Sequence, residues 1–238
     1  MPETLPQTIA LGESAVLLNW GNCIDKGINR QVHLLAAALH NQDHSFILDI
    51  IPAYCSITIV FDIILFTTAH NNTPVEFISS ELLSLSLNDA GENNFSKPVF
   101  EIPVCYDPVL GNDLESLSLA HSIDPGEIVS LHLSSSYYVY MLGFLPGFSY
   151  MGEVDEKIAF PRKEKPLWVK AGSVGIAGKQ TGIYPVDSPG GWHILGHTPI
   201  KMFDATKVNP CLLEPGATVN FKAIDIDAFH HLENQYPA

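Results

Sequence analysis

Ala171-Gly-Ser-Val-Gly-Ile-Ala-Gly-Lys-Gln-Thr-Gly-Ile-Tyr-Pro185, followed by Ser188-Pro-Gly-Gly-Trp-His-Ile-Leu-Gly-His-Thr-Pro199, decides the fold. Glycine or proline recurs every few residues and no helical spacing of apolar residues survives, so no amphipathic helix runs through it. The surrounding span from Gly143 to Pro199 has the same character and holds ten of the 17 glycines. Such a composition makes short strands joined by tight turns, in a barrel or a sandwich.

Glycine permits positive φ and close backbone approach. Successive turns can therefore aim several N–H groups of the Gly172–Thr181 segment into one concavity, the geometry of an anion-binding nest. Ser173, Gln180, Thr181 and Tyr184 add hydrogen-bonding tips. Lys179 adds a positive charge in a stretch where Asp187 is the other charged residue. The alternative is that the glycines only turn the corners of a small barrel. Two local likenesses fail on context. Gly172…Gly178-Lys179-Gln180 is one residue too long for a phosphate-binding P-loop and puts Gln180 where Ser or Thr should meet magnesium. Ala171-Gly-Ser173-Val-Gly175 resembles a nucleophile elbow, but no helix can follow it.

Just upstream, Gly143-Phe-Leu-Pro-Gly-Phe148-Ser-Tyr150 gathers three aromatic residues at a proline-glycine turn, either corner packing or an apolar wall for a small ring-shaped ligand. Arg162 and Lys163 follow Pro161 in a loop, suited to a surface ion pair or to an anion. His132 shares a helix face with Ile128 and Leu131 and reads as a half-buried histidine or a proton-transfer group. His193 and His197 lack the setting of a metal pair, so no bound metal is expected.

Further out, Val99–Tyr106 and Tyr137–Leu142 read as strands. Short helices are expected after Asn112 and after Asp124, where Glu127 completes a capping-box pattern. Between Asn88 and Lys97 the composition turns polar, the best domain boundary. It separates an N-terminal domain over 1–90 from a second over 97–238. In the first, Ala15–Leu18 is a strand, and Lys26–Gln42 is a helix with Asp25 as its cap. The apolar run Ile47–Phe66 reads as buried strands, and a helix begins at Thr73-Pro74. The fold class is α+β.

Twelve Lys and Arg against 26 Asp and Glu give a net charge of −14 with the histidines neutral. Such a surface repels nucleic-acid backbones and anionic lipid, so neither is an expected partner. Four scattered cysteines and an N-terminus without the regions of a signal peptide point to the cytoplasm.

Gly143-Phe-Leu-Pro-Gly-Phe-Ser-Tyr-Met-Gly152, Phe160-Pro-Arg162, Ala171–Gly178, Gln180–Pro185 and Ser188–Trp192 resemble, in order and spacing, the family of 5-oxoprolinase B subunits. That family is also called allophanate hydrolase subunit 1 and includes the kinase inhibitor KipI. Phe100–Val104, Leu131-His132, Gly196–Pro199 and Gly12–Ala15 extend the resemblance over nearly the whole chain. It implies a small N-terminal α+β domain followed by a cyclophilin-like β-barrel. It also implies one part of an enzyme that works with two further polypeptides, the A and C subunits, the second of them itself carboxyltransferase-like. Together they open the lactam of 5-oxoproline to glutamate with ATP. The nucleotide is held by this chain or only once the C polypeptide completes the site.

On that basis His132, Lys179 and Tyr184 are the candidate catalytic residues. Arg162, Gly172, Ser173, Gln180, Thr181, Phe148 and Trp192 are the candidate substrate contacts. The sequence departs from the family at Cys55, Asp107-Pro108, Leu167 and Lys170; Leu167 stands where an arginine is common. The alternative is a regulatory protein that inhibits a sensor histidine kinase.

Overall fold

Alternation of buried and half-buried residues organises the N-terminal unit. The computed structural model describes residues 5–42, 44–84 and 97–235. Strands β1 (Gln7–Ala10), β2 (Ala15–Asn19), β3 (Ile47–Pro52) and β4 (Ser56–Phe61) form an antiparallel sheet in the order β1-β2-β4-β3. Successive side chains of a strand point to opposite faces, so Val16 and Leu18 join Ile57, Ile59 and Phe61 on one buried face. Helix α1 (Lys26–Asn41) covers that face with Val32, Leu35, Ala36 and Leu39. Asp25 starts the helix by accepting the Ile28 amide at 2.8 Å.

The apolar run after Ile47 is not strand throughout. The Asp62 carboxylate accepts the amides of Ile64 and Leu65, at 3.0 and 3.1 Å, and opens helix α2 (Ile63–Ala69). A side-chain cap outweighs the β preference of Ile63 and Ile64. Helix α3 (Pro74–Ser84) begins with a reciprocal cap: Glu76 accepts the Thr73 amide at 2.8 Å, and the Thr73 hydroxyl accepts the Glu76 amide at 3.3 Å.

The chain divides into two compact units, Met1–Phe95 and Ser96–Ala238. The polar stretch between Asn88 and Lys97 lies, apart from Lys97, outside the described residues.

The second unit supplies strands β5 (Val99–Cys105), β6 (Ser136–Leu142), β7 (Ser149–Gly152), β8 (Leu167–Val169), β9 (Ser173–Ala177), β10 (Gln180–Ile183), β11 (Ser188–Gly190), β12 (His193–His197) and β13 (Thr218–Ile224). Seven of them close into a barrel in the order β10-β7-β6-β13-β5-β12-β9, while β8 and β11 pair separately as a ribbon. Helices α4 (Leu114–His121), α5 (Pro125–Leu133) and α6 (Ile226–Gln235) complete the unit, with one 3-10 turn at Glu156–Ile158.

The main core of this unit contains Ile102, Val104, Val139, Met151, Val174, Ile176, Ile183, Leu195, Val219 and Phe221. A second, smaller cluster of Phe148, Val169, Tyr184 and Ile194, with Tyr150 and Trp192 against it, lies apart from that core. Among the described residues no helix is long and apolar enough to cross a membrane.

Candidate functional site

The glycine-rich segment is a β-hairpin. Strands β9 and β10 pair from Ala177↔Gln180 to Val174↔Ile183, and β9 pairs on its other edge with β12. Beyond the ladder the Gly172 amide donates to Tyr184 O at 2.7 Å, and the Tyr184 amide to Ser173 O at 2.9 Å. At the turn the Gly178 amide donates to Phe160 O at 2.6 Å. An N–H nest over 172–181, one of the two readings of the sequence, is therefore not formed. A strand paired on both edges has its amides engaged in the sheet.

What the hairpin does carry is a wall of aromatic rings. Phe148 packs edge to face on Tyr184 and Trp192, with centroids 5.1 and 5.3 Å away, and on Tyr150 at 4.8 Å. Tyr150 and Trp192 meet at 5.9 Å, and Phe144 touches Phe148 from an exposed position. Edge-to-face contact suits the quadrupoles of the rings. Gly182 brings this cluster onto β10: a Cβ there would lie 3.1 Å from both Phe148 and Trp192. Phe148 and Tyr184, each 1% exposed, form the floor, and the half-buried Tyr150 and Trp192 form the reachable surface. The Trp192 amide bonds to the Tyr184 phenol.

Arg162 stands at the rim. A Cβ on Gly191 would sit 3.4 Å from its Nε and Nη2 atoms, so the guanidinium lies over the residue that precedes Trp192. Burial pushes the Tyr150 and Tyr184 phenols above their usual range, and the Arg162 charge partly opposes this at both. Arg162 makes no ion pair among the described residues. In a chain of net charge −14, an exposed arginine over the residue next to Trp192 is a ready anion contact.

His132 lies elsewhere. It has no exposed surface, Nδ1 lies 2.8 Å from Tyr106 Oη, and Nε2 lies 2.9 Å from Thr181 Oγ1. The Thr181 hydroxyl donates to Gly175 O at 3.1 Å, so it accepts from His132, and the proton sits on Nε2. Nδ1 then accepts from the Tyr106 phenol. The ring stacks on Phe221 at 4.8 Å, and burial lowers its pKa to about 3. It is a neutral imidazole with both nitrogens engaged.

Lys179 and Gln180 occupy the opposite end of the hairpin from Tyr184. The exposed Lys179 ammonium pairs with Glu156, which raises its pKa. The strand between Lys179 and Tyr184 spans roughly 16 Å at about 3.3 Å per residue. Gly172 and Ser173 sit behind the Tyr184 backbone, where Ser173 Oγ lies 3.5 Å from His197 Nδ1. Lys170 pairs with Asp187 at 2.9 Å, while Leu167 and Trp168 are exposed.

The structure thus brings Phe148, Tyr184, Trp192 and Arg162 together, and leaves Lys179, Gln180 and the His132–Thr181 pair outside that group. Sequence reasoning counted Tyr150 in the aromatic cluster as corner packing or an apolar wall but did not place it among the candidate substrate contacts; in the structure it packs on Phe148 and Trp192. It also missed Tyr106 as the partner of His132, for which no local signal exists. Among the described residues no three His, Cys, Asp or Glu side chains converge as a metal site.

Residues 6–213 match the family described as carboxyltransferase domain, subdomain C and D. The 5-oxoprolinase B subunit of Bacillus subtilis (strain 168) is 36% identical over 224 residues, covering 92% of this chain and 93% of that protein. The 5-oxoprolinase B subunit of Escherichia coli O157:H7 is 34% identical over 212 residues, covering 89% and 93%. Among solved structures, TTHA0988 superposes with a TM-score of 0.75 at 33% identity over 89% of this chain. The chain spans only 40% of that longer protein.

Proposed function

Because the chain belongs to the family of 5-oxoprolinase B subunits, we propose that it is the B subunit of an ATP-dependent 5-oxoprolinase, and that the aromatic wall with Arg162 receives 5-oxoproline. The observation that carries this reading is the guanidinium, without an ion-pair partner among the described residues, lying over Gly191 and near enough for its charge to act on the Tyr150 and Tyr184 phenols of the aromatic wall. 5-Oxoproline is a small, nearly flat lactam ring with one carboxylate. An apolar wall takes the ring and a planar guanidinium takes the carboxylate, so one orientation is favoured. Phe148 and Tyr184 hold the wall from beneath, and the Tyr184 phenol fixes the Trp192 backbone. His132 and Thr181 serve as positioning residues that tie α5 to the hairpin.

A lactam is a poor electrophile, and use of ATP by the complex answers that difficulty. The Gly172–Thr181 hairpin does not fit a triphosphate: its amides pair within the sheet and Lys179 pairs with Glu156. The A and C subunits are the partners in this reading, and the ATP-consuming reaction sets the work in the cytoplasm.

The test is co-expression of the chain with the A and C subunits, following ADP and glutamate release from 5-oxoproline and leaving out each polypeptide in turn. Turnover that needs this chain, and that Arg162→Met weakens through KM, supports the reading. Turnover indifferent to its omission removes it.

A further inference from the structure

Arg162 and Trp192 sit on two loops whose flanking residues are bonded pairwise. His193 Nε2 lies 2.9 Å from Pro161 O and donates to it. The Lys163 amide donates to Gly191 O at 2.7 Å. Residues on both sides of Arg162 are thus joined to residues on both sides of Trp192. A third segment locks the pair. Asp113 Oδ2 accepts the Lys163 ammonium at 2.6 Å and the Ile194 amide at 2.7 Å, and the Asp113 amide donates back to Ile194 O at 3.1 Å. Both charged side chains are only 16% exposed, so water competes weakly for them.

We propose that the Asp113–Lys163 ion pair is a positioning device that sets the Arg162 guanidinium against Trp192, and that it thereby tunes affinity for the carboxylate substrate. The inference rests on the site reading above. Of the six residues 161–163 and 191–193, four are used to tie the loops together. The side chains of Arg162 and Trp192 are left to face a ligand. Lys163 therefore serves the site without touching the substrate, in contrast to its neighbour. An ion pair suits this task because its geometry is directional, whereas an apolar contact between the same loops would let them slide.

The experiment uses two readouts. In the complex with the A and C subunits, Lys163→Met is expected to raise KM for 5-oxoproline about tenfold and leave kcat within about twofold, because what is lost is carboxylate binding shared by the ground and transition states. Lys163→Arg, which keeps the charge and the donor, should restore KM. In the isolated chain with W20F and W168F, Trp192 is the sole tryptophan, and quenching by iodide is compared with quenching by neutral acrylamide.

Arg162 held beside the indole attracts iodide, so the iodide preference should fall in Arg162→Met and equally in Lys163→Met, and return in Lys163→Arg. Asp113→Asn, nearly isosteric, provides the same comparison should the lysine variant fold poorly. Wild-type iodide preference and unchanged KM in both Lys163→Met and Asp113→Asn would overturn the proposal and leave only a structural staple. The quenching test stands apart from catalysis. Absence of turnover in the wild-type complex would sink the functional reading while still allowing the clamp to be judged.

Discussion

His132 Nε2 and Thr181 Oγ1 lie 2.9 Å apart, and neither residue has any exposed surface. This contact joins helix α5 to the glycine-rich hairpin and fixes the tautomer of a histidine held neutral by burial. It also gives folding a pH dependence with a definite sign. The imidazole titrates near 6.5 when unfolded and is lowered to about 3 when folded, by desolvation. Between these values the unfolded chain binds a proton that the native chain refuses. The stabilisation is therefore complete above the unfolded pKa and is lost as pH falls below it.

From this residue alone, stability at pH 5 should be about 2 kcal/mol lower than at pH 7. Urea midpoints at the two pH values measure it. His132→Gln, which does not titrate, should be less stable at pH 7 but show a pH dependence flatter by that amount. An equal pH dependence in the two proteins would mean that His132 is protonated in the native state.

Thr181 sits in the middle of that chain of bonds, accepting from His132 and donating to Gly175 O at 3.1 Å. Thr181→Val keeps the shape and removes both bonds. It should cost about 1–3 kcal/mol in chemical denaturation, the range for leaving a buried polar group without its partner. Thr181→Ser, which retains the hydroxyl, should recover most of the loss.

The glycines of the hairpin differ in what they permit. Gly172 has φ +85°, and a Cβ there would lie 2.5 Å from His197 Nε2 and from the Thr198 carbonyl oxygen. Gly178 has φ +57° with nothing within 4 Å of the same position. Gly172→Ala should therefore destabilise by about 2–4 kcal/mol, combining left-handed strain with overpacking. Gly178→Asn should cost less than about 1 kcal/mol, since asparagine visits the left-handed region with little penalty. Thermal melts of the two variants decide it; equal losses would mean that crowding at His197 contributes nothing.

Local signals made much of this fold legible. The alternation of Val16 with Leu18 and of Ile57 with Ile59 marks strands. Asp25, Thr73 and Asp124 mark helix starts, because capping is chemistry between near neighbours. Ile63-Ile64 misled the reading: their side chains favour strand, and the Asp62 cap that overrules them is a single carboxylate.

The nest reading failed for a reason that no single segment can display. Whether a glycine-rich strand has free amides depends on its neighbours on both edges, and β12 lies sixteen residues beyond the end of β9. The environment of His132 is hidden in the same way, because Tyr106 and Thr181 reach it from 26 residues before and 49 residues after. The aromatic wall fared better as a group of residue types, since Phe148, Tyr150, Tyr184 and Trp192 stand out in composition before any contact between them is known.

Two positively charged residues offer two locations for substrate, Lys179 at the hairpin turn and Arg162 over Gly191. Lys179 at the turn pairs with Glu156 and is exposed, whereas Arg162 lies at the aromatic wall with no ion-pair partner among the described residues. With roughly 16 Å of strand between Lys179 and Tyr184, a lactam seated on Tyr184 does not reach the turn backbone. If the proposed function holds, Arg162→Met in a complex with the A and C subunits should raise KM for 5-oxoproline at least about tenfold, the scale of a lost charge-assisted contact. Lys179→Ala should leave KM within about twofold, because it removes a surface pair of little energetic weight. Steady-state kinetics on both variants compare the two locations directly. A large effect at Lys179 with none at Arg162 would move the substrate to the hairpin turn and leave the aromatic wall a packing feature.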